Sequence, residues 1–145
     1  MKKITTIIML FVSINLYADS MISIEQYVND EGNNPKDPIM QTYVLKRCAS
    51  AFLYTASITS KGTELSNNFI EAYRKVAFRA ADILMQKLNW TEEEAGKSIK
   101  TDITNMVNFY EKDGNESFAR DGTYVMNNYI GNDLKFCKEL AKDIK

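Results

Sequence analysis

The chain contains no histidine among its 145 residues. Histidine is the side chain most often used as a general base and as a metal ligand near neutral pH, so its absence removes the commonest catalytic and metal-binding arrangements. Eighteen basic and nineteen acidic side chains nearly cancel, and no overall field favours nucleic acid or an anionic membrane. We therefore expect no metal, no cofactor and no nucleic-acid partner.

Motifs that carry known chemistry are also missing. The sequence has no nucleophile elbow, no phosphate-binding glycine loop, no dinucleotide-binding fingerprint and no zinc-ligand spacing. Residues 111–117 place oxygen-bearing side chains at alternate positions, but Gly122 stands where a calcium loop needs a bidentate glutamate. An ordinary polar turn explains this stretch better. The sequence therefore assigns no catalytic residue and favours a protein that is not an enzyme.

The longest hydrophobic run lies at the N-terminus. Lys2 and Lys3 precede an apolar stretch over residues 4–16, and Ala18 supplies the small residue before a cleavage site. This pattern is typical of a Sec-type signal peptide, here residues 1–20, and predicts a protein exported to the periplasm or the cell exterior. The stretch is shorter than the roughly 20 apolar residues that span a bilayer, so a retained membrane anchor is the weaker alternative.

Only two cysteines are present, Cys48 and Cys137, and they lie near opposite ends of the predicted mature domain. In an oxidising compartment such a pair most simply forms a disulfide. In the chain-entropy model, closing a loop of this length stabilises the fold by about 4–5 kcal/mol. Two buried free thiols are the alternative.

The chain divides into three predicted parts: the signal peptide, a short segment with a flexible linker over residues 21–38, and a packed domain over residues 39–145. Within the domain, apolar residues recur at spacings of three and four, which indicates amphipathic helices. In the first long helix Thr42, Lys46, Ser50 and Ser57 lie opposite the apolar face. We predict an all-α fold, a small up-and-down bundle of four to five helices whose first and last long helices are joined by the disulfide.

Local signals predict where several helices begin and end. Thr91 and Glu94 form a capping box that begins the third long helix. Gly114 predicts the end of that helix, followed by a shorter one, and Gly131 predicts a further break before the last helix.

One charged residue stands out because it falls within an apolar face. Arg47 lies inside the apolar arc of the first long helix, and Asp102 lies inside that of the third. An ion pair between these two would satisfy both charges, with Tyr43 and Tyr54 nearby to complete a polar pocket. A structural role is favoured. The alternative is a cleft in which Arg47 attracts an anionic ligand.

A second feature is an apolar strip on the polar side of the second long helix. Phe78 and Met85 share this face with Arg74. We expect the short fourth helix or the segment 21–28 to cover the strip, and the alternative is an interface with another chain.

These features favour an exported helical bundle that acts as a non-catalytic binding or interaction module for an unidentified protein partner. A small-ligand binder or histidine-free enzyme built around Arg47 and Asp102 is the second hypothesis. A protein held at the membrane by its uncleaved N-terminal segment is the third.

Overall fold

The computed structural model describes residues 21–30 and 32–144, so the predicted signal peptide lies outside the described residues. Over these ranges the chain forms five α-helices and no strand, which confirms the all-α prediction. The helices are α1 (Ile24–Asn29), α2 (Pro38–Ile58), α3 (Glu64–Leu88), α4 (Glu92–Asp121) and α5 (Tyr129–Asp143). None of these helices is long and apolar enough to cross a membrane.

The central element is α2, which packs against α3, α4 and α5. It is therefore buried on nearly every side, including the side that carries Thr42, Lys46 and Ser50. These polar groups have partners: the Ser50 hydroxyl donates to the carbonyl of Lys46 at 2.8 Å, and that of Thr42 donates to the carbonyl of Ile39 at 2.8 Å. Three neighbouring helices surround the middle of α2, so the polar residues there are buried although they lie opposite its apolar arc. Ser57, near the end of the helix, is exposed as predicted.

The predicted disulfide is confirmed. Cys48 and Cys137 are bonded, with their Cα atoms 5.3 Å apart and 89 positions between them in sequence. The bond joins α2 to α5, and both cysteines are fully buried in the core. It therefore fixes the position of α5 against the central helix.

The capping box at the start of α4 is also confirmed. The Thr91 hydroxyl accepts a hydrogen bond from the Glu94 amide at 3.2 Å, and the Glu94 carboxylate accepts one from the Thr91 amide at 2.8 Å. These reciprocal bonds satisfy two backbone donors that the first turn of a helix otherwise leaves free. The Glu94 carboxylate accepts hydrogen bonds from both the amide and the hydroxyl of Thr91, and these bonds lower the pKa of the Glu94 carboxyl group because they favour its charged form.

The predicted helix end at Gly114 is wrong. Helix α4 continues to Asp121 and is ended by Gly122, whose φ of 73° is in the left-handed region. Gly114 is instead a packing position, because a Cβ atom there would lie 1.8 Å from the hydroxyl oxygen of Tyr54. The missing side chain allows a close approach between α2 and α4.

The predicted break at Gly131 is also wrong, since this residue lies in the first turn of α5. No separate short helix precedes it in the described chain; residues 122–128 form a loop that ends at Asn128, the N-cap of α5. A Cβ atom on Gly131 would lie 2.2 Å from the carbonyl oxygen of Val125. Here too, glycine permits a close contact rather than ending a helix.

The range assigned to a short segment and linker contains α1, which packs on α5. Ser23 and Gln26 form a capping box at its start, and Ile24 is fully buried. The rings of Tyr27 and Tyr43 lie 4.6 Å apart between their centroids, which ties α1 to α2 as well. Residues 21–29 thus share the core of the helices that follow.

Candidate functional site

Arg47 points from α2 into the interior and is 1% exposed. Its Nε and Nη2 atoms donate to Oδ2 of Asp133 at 3.0 and 2.7 Å, and Nη2 also donates to the carbonyl of Ile22. The predicted partner Asp102 instead accepts a hydrogen bond from Lys46 Nζ at 2.6 Å. The predicted pairing of Arg47 with Asp102 is therefore wrong, and Arg47 pairs with Asp133 instead. Adjacent residues on a helix point in different directions. Here Lys46 meets Asp102 on α4, while Arg47 meets Asp133 on α5, Tyr110 further along α4 and the N-terminal segment.

Asp133 is the centre of a buried polar network. Its Oδ2 also accepts a hydrogen bond from the Tyr110 hydroxyl at 2.7 Å, and its Oδ1 accepts one from the Ile24 amide at 2.7 Å. Burial raises the pKa of the Asp133 carboxyl group, although the Arg47 charge and these hydrogen bonds oppose that shift. Burial also raises the pKa of Tyr110 well above its ordinary value. The carboxylate has donors on both oxygens, so the network is a structural unit joining α2, α4, α5 and the start of α1.

The two tyrosines predicted to complete a pocket form no hydrogen bond with Arg47 among the described residues. Tyr43 packs against Tyr27 of α1. Tyr54 stacks on Tyr110 with 6.1 Å between ring centroids, and its buried hydroxyl has no hydrogen-bond partner among the described residues. Burial raises the pKa of Tyr54 to about 12. The predicted site residues therefore do not converge on a single ligand site.

Phe78 is 71% exposed, so the expectation that a neighbouring segment covers it is wrong. Segment 21–28 packs on α2 and α5 instead. On the same predicted strip, Met85 is half-buried and Arg74 is exposed. We call the surface around this ring the Phe78 patch. It is lined by Lys75, Phe78, Arg79, Asp82, Asp143 and Ile144.

An apolar cleft of about 330 Å³ lies beside the Phe78 patch, between α1, the connection that follows it, α2, α3 and α5. Its apolar lining includes Val28, Val44, Leu45, Ile83, Phe136 and Leu140. Among the described residues Arg79 is its one charged lining residue, and Arg79 and Ile144 line both the cleft and the Phe78 patch. The two features therefore form one continuous surface.

Periodicity alone does not reveal this cleft. Its lining residues lie on helix faces that the pattern assigns to the core, and several of them are indeed buried. They are accessible only because α1, α3 and α5 leave a gap over α2. The one signal in the sequence was Phe78, an aromatic residue on a polar helix face.

No model of a known protein family, no curated protein and no solved structure matches the chain. Within residues 21–30 and 32–144, no group of three or more cysteine, aspartate or glutamate side chains is placed to hold a metal ion. Function is therefore inferred from the geometry of the chain's own residues.

Proposed function

We propose that this protein is an exported, non-catalytic binding module and that the Phe78 patch is its contact surface for a partner protein. One observation carries the proposal: Phe78 is largely exposed on a surface continuous with an apolar cleft. Removing apolar surface from water is favourable by about 25 cal/mol per Å², so a partner that covers this ring gains free energy of association. Phenylalanine is enriched at protein interfaces for this reason.

The residues around the ring support a protein contact. Lys75 and Arg79 supply positive charge at its edge, and Asp82 and Asp143 supply negative charge. An apolar centre with a charged rim is the usual arrangement of a protein interface, in which the rim favours the correct partner and the centre supplies most of the affinity.

Export is supported by two features of the chain. Residues 1–20 have the pattern of a signal peptide, and disulfides such as Cys48–Cys137 persist mainly in oxidising compartments. The same proposal includes an up-and-down order of the four long helices, with the disulfide joining the first to the last. The short connections from α2 to α3 and from α3 to α4 support that order.

The alternative of a ligand site or active site around Arg47 and Asp102 has less support. Arg47 is enclosed and hydrogen-bonded to Asp133, so a ligand would have to displace a buried carboxylate to reach it. Breaking a buried ion pair in this way is strongly unfavourable.

Site-specific photo-crosslinking tests the contact surface. A photoreactive side chain is placed at position 78 in the full chain and expressed in the producing cells. The matched control is position 109, where Phe109 is 53% exposed on α4. We expect a discrete adduct with one partner protein from position 78 and none from position 109. No adduct from position 78, or the same adducts from both positions, would contradict the proposal.

Intact-mass measurement with and without reductant and alkylation tests whether the protein is exported, cleaved and disulfide-bonded. We expect a chain that begins near residue 19 or 21 and carries no alkylatable thiol before reduction. A full-length mass with two alkylatable thiols would overturn both export and the disulfide.

A further inference from the structure

The apolar cleft is lined by Arg79, a cation that it shares with the rim of the Phe78 patch. We propose that the cleft binds a single-chain aliphatic carboxylate, with the chain against the apolar lining and the carboxylate at Arg79. This ligand goes beyond the protein contact proposed at Phe78, and neither proposal depends on the other.

The base of the cleft suits an aliphatic chain. Val44 and Leu45 of α2 and Ile83 of α3 are buried side chains that line it, and Leu140 of α5 adds a further aliphatic wall. Phe136 is the one aromatic residue among the described residues of the lining. Mostly aliphatic walls offer dispersion contacts to a flexible chain without requiring a planar ligand.

The charge at the mouth favours an anionic headgroup. Arg79 is exposed and forms no ion pair within the described part of the chain, although Asp82 and Asp143 lie on the neighbouring Phe78 patch. Gln41, the other polar residue in the described lining, donates its side-chain amide to the carbonyl of Pro35 at 2.9 Å. Arg79 therefore supplies the available charged donors, and a guanidinium group matches the two oxygens of a carboxylate.

The size and construction of the cleft favour one chain of medium length. Its volume of about 330 Å³ lies at the lower end of the usual range of ligand pockets, roughly 300–1,000 Å³. Phe136 neighbours Cys137, so the disulfide holds the α5 wall against α2. A site with fixed walls loses little conformational freedom when a ligand enters.

Calorimetric titration with decanoate and with 1-decanol tests the proposal, because the two ligands share a chain length and differ in headgroup. The full, disulfide-bonded chain is used as purified from its producing cells. We expect one decanoate per chain, with 1-decanol bound about tenfold more weakly. Arg79→Gln should weaken decanoate binding about tenfold and leave 1-decanol unchanged, since only the charged hydrogen bonds are lost. Lys75→Gln is the matched control, a cation on the Phe78 patch outside the cleft lining.

Equal affinities for the two ligands, or an Arg79→Gln variant that binds decanoate normally, would overturn the carboxylate assignment. Leu140→Trp fills the cleft and should abolish binding of both ligands, with Val28→Trp as a second blocking variant if the first does not fold. If a folded variant with tryptophan at either position still binds the two ligands, the assignment of the binding site to this cleft is overturned.

The two proposals fail separately. If neither ligand binds while the adduct from position 78 persists, the ligand proposal is overturned and the cleft belongs to the protein contact. Phe78→Ser removes the ring from the patch, adds no charge beside Arg79 and lies outside the cleft lining, so it should leave decanoate affinity unchanged.

Discussion

Two regions of this molecule distribute charge and apolar surface in opposite ways. Between α2, α4 and α5, the charged pair of Arg47 and Asp133 is enclosed and hydrogen-bonded. On α3, the ring of Phe78 is exposed to solvent. The first region is fully accounted for by the fold, because buried polar groups are stable only when they have partners. The fold supplies no such reason for the second. The exposed apolar region, rather than the most polar one, is therefore the better indication of binding.

The disulfide is expected to have the largest effect on the buried region. Replacing Cys48 and Cys137 together by alanine should lower the free energy of unfolding by about 4–5 kcal/mol, because the unfolded chain is no longer constrained by the cross-link. Urea denaturation of the oxidised protein and the double variant measures the difference. A loss below about 1 kcal/mol would show that α5 is held by its packing and the Asp133 network alone.

Asp133→Ala should cost about 3–5 kcal/mol of unfolding free energy, since it leaves the Arg47 guanidinium buried without its carboxylate. It also removes the acceptor of the Ile24 amide. Asp102→Ala is the control and should cost less, because Asp102 is 40% exposed on its side chain and the Lys46 ammonium keeps the Ser98 hydroxyl as an acceptor. Urea denaturation measures both losses of unfolding free energy, and equal losses for the two variants would contradict the pairing of Arg47 with Asp133.

Two tyrosines allow a comparison within the core. Tyr110→Phe should cost about 1–3 kcal/mol because its hydroxyl bonds the buried Asp133 carboxylate. Tyr54→Phe should be neutral or slightly stabilising, since the Tyr54 hydroxyl is buried without a partner among the described residues. Thermal and urea denaturation measure the stability of both variants. A larger loss for Tyr54→Phe than for Tyr110→Phe would contradict the hydrogen bonding assigned to the two hydroxyl groups.

Alkaline pH should weaken the same region. Burial raises the pKa of Tyr54 to about 12 and raises those of Tyr110 and Tyr129 above their ordinary values. The folded state therefore favours the neutral phenol. This contribution is fully present below the unfolded pKa of about 10 and is lost as pH rises through about 12 for Tyr54. Tyrosinate absorbance and the free energy of unfolding, recorded over the same pH range, measure this loss of stability. Ionisation of Tyr54, Tyr110 and Tyr129 near pH 10 without unfolding would contradict the raised pKa values.

Much of the fold was predictable because it rests on local signals or elimination. The capping box at Thr91 is a local pattern, and two cysteines allow only one intramolecular pair. Gly114 and Gly131 were misread because glycine has two uses, ending a helix and permitting close contact. The sequence pattern is the same for both, and only the neighbouring Tyr54 side chain or Val125 carbonyl distinguishes them.

The site was less predictable than the fold. Helical periodicity places Arg47 on an inward face but does not fix which helix that face meets, so Asp133 was missed as its partner. The cleft depends on how far apart α1, α3 and α5 lie over α2, which periodicity does not encode. Phe78 was identified because an aromatic residue on a polar face is visible in the sequence itself.

Phe78→Asp tests most directly whether the exposed region is a contact surface. A photoreactive side chain at position 75, on the same patch, reports the partner. Unfolding free energy should change by less than about 0.5 kcal/mol, because an exposed side chain contributes little to the core. The adduct from position 75 should be lost. An adduct that persists, or a loss of stability as large as that of Asp133→Ala, would contradict the account by showing that the ring is unused in binding or belongs to the core.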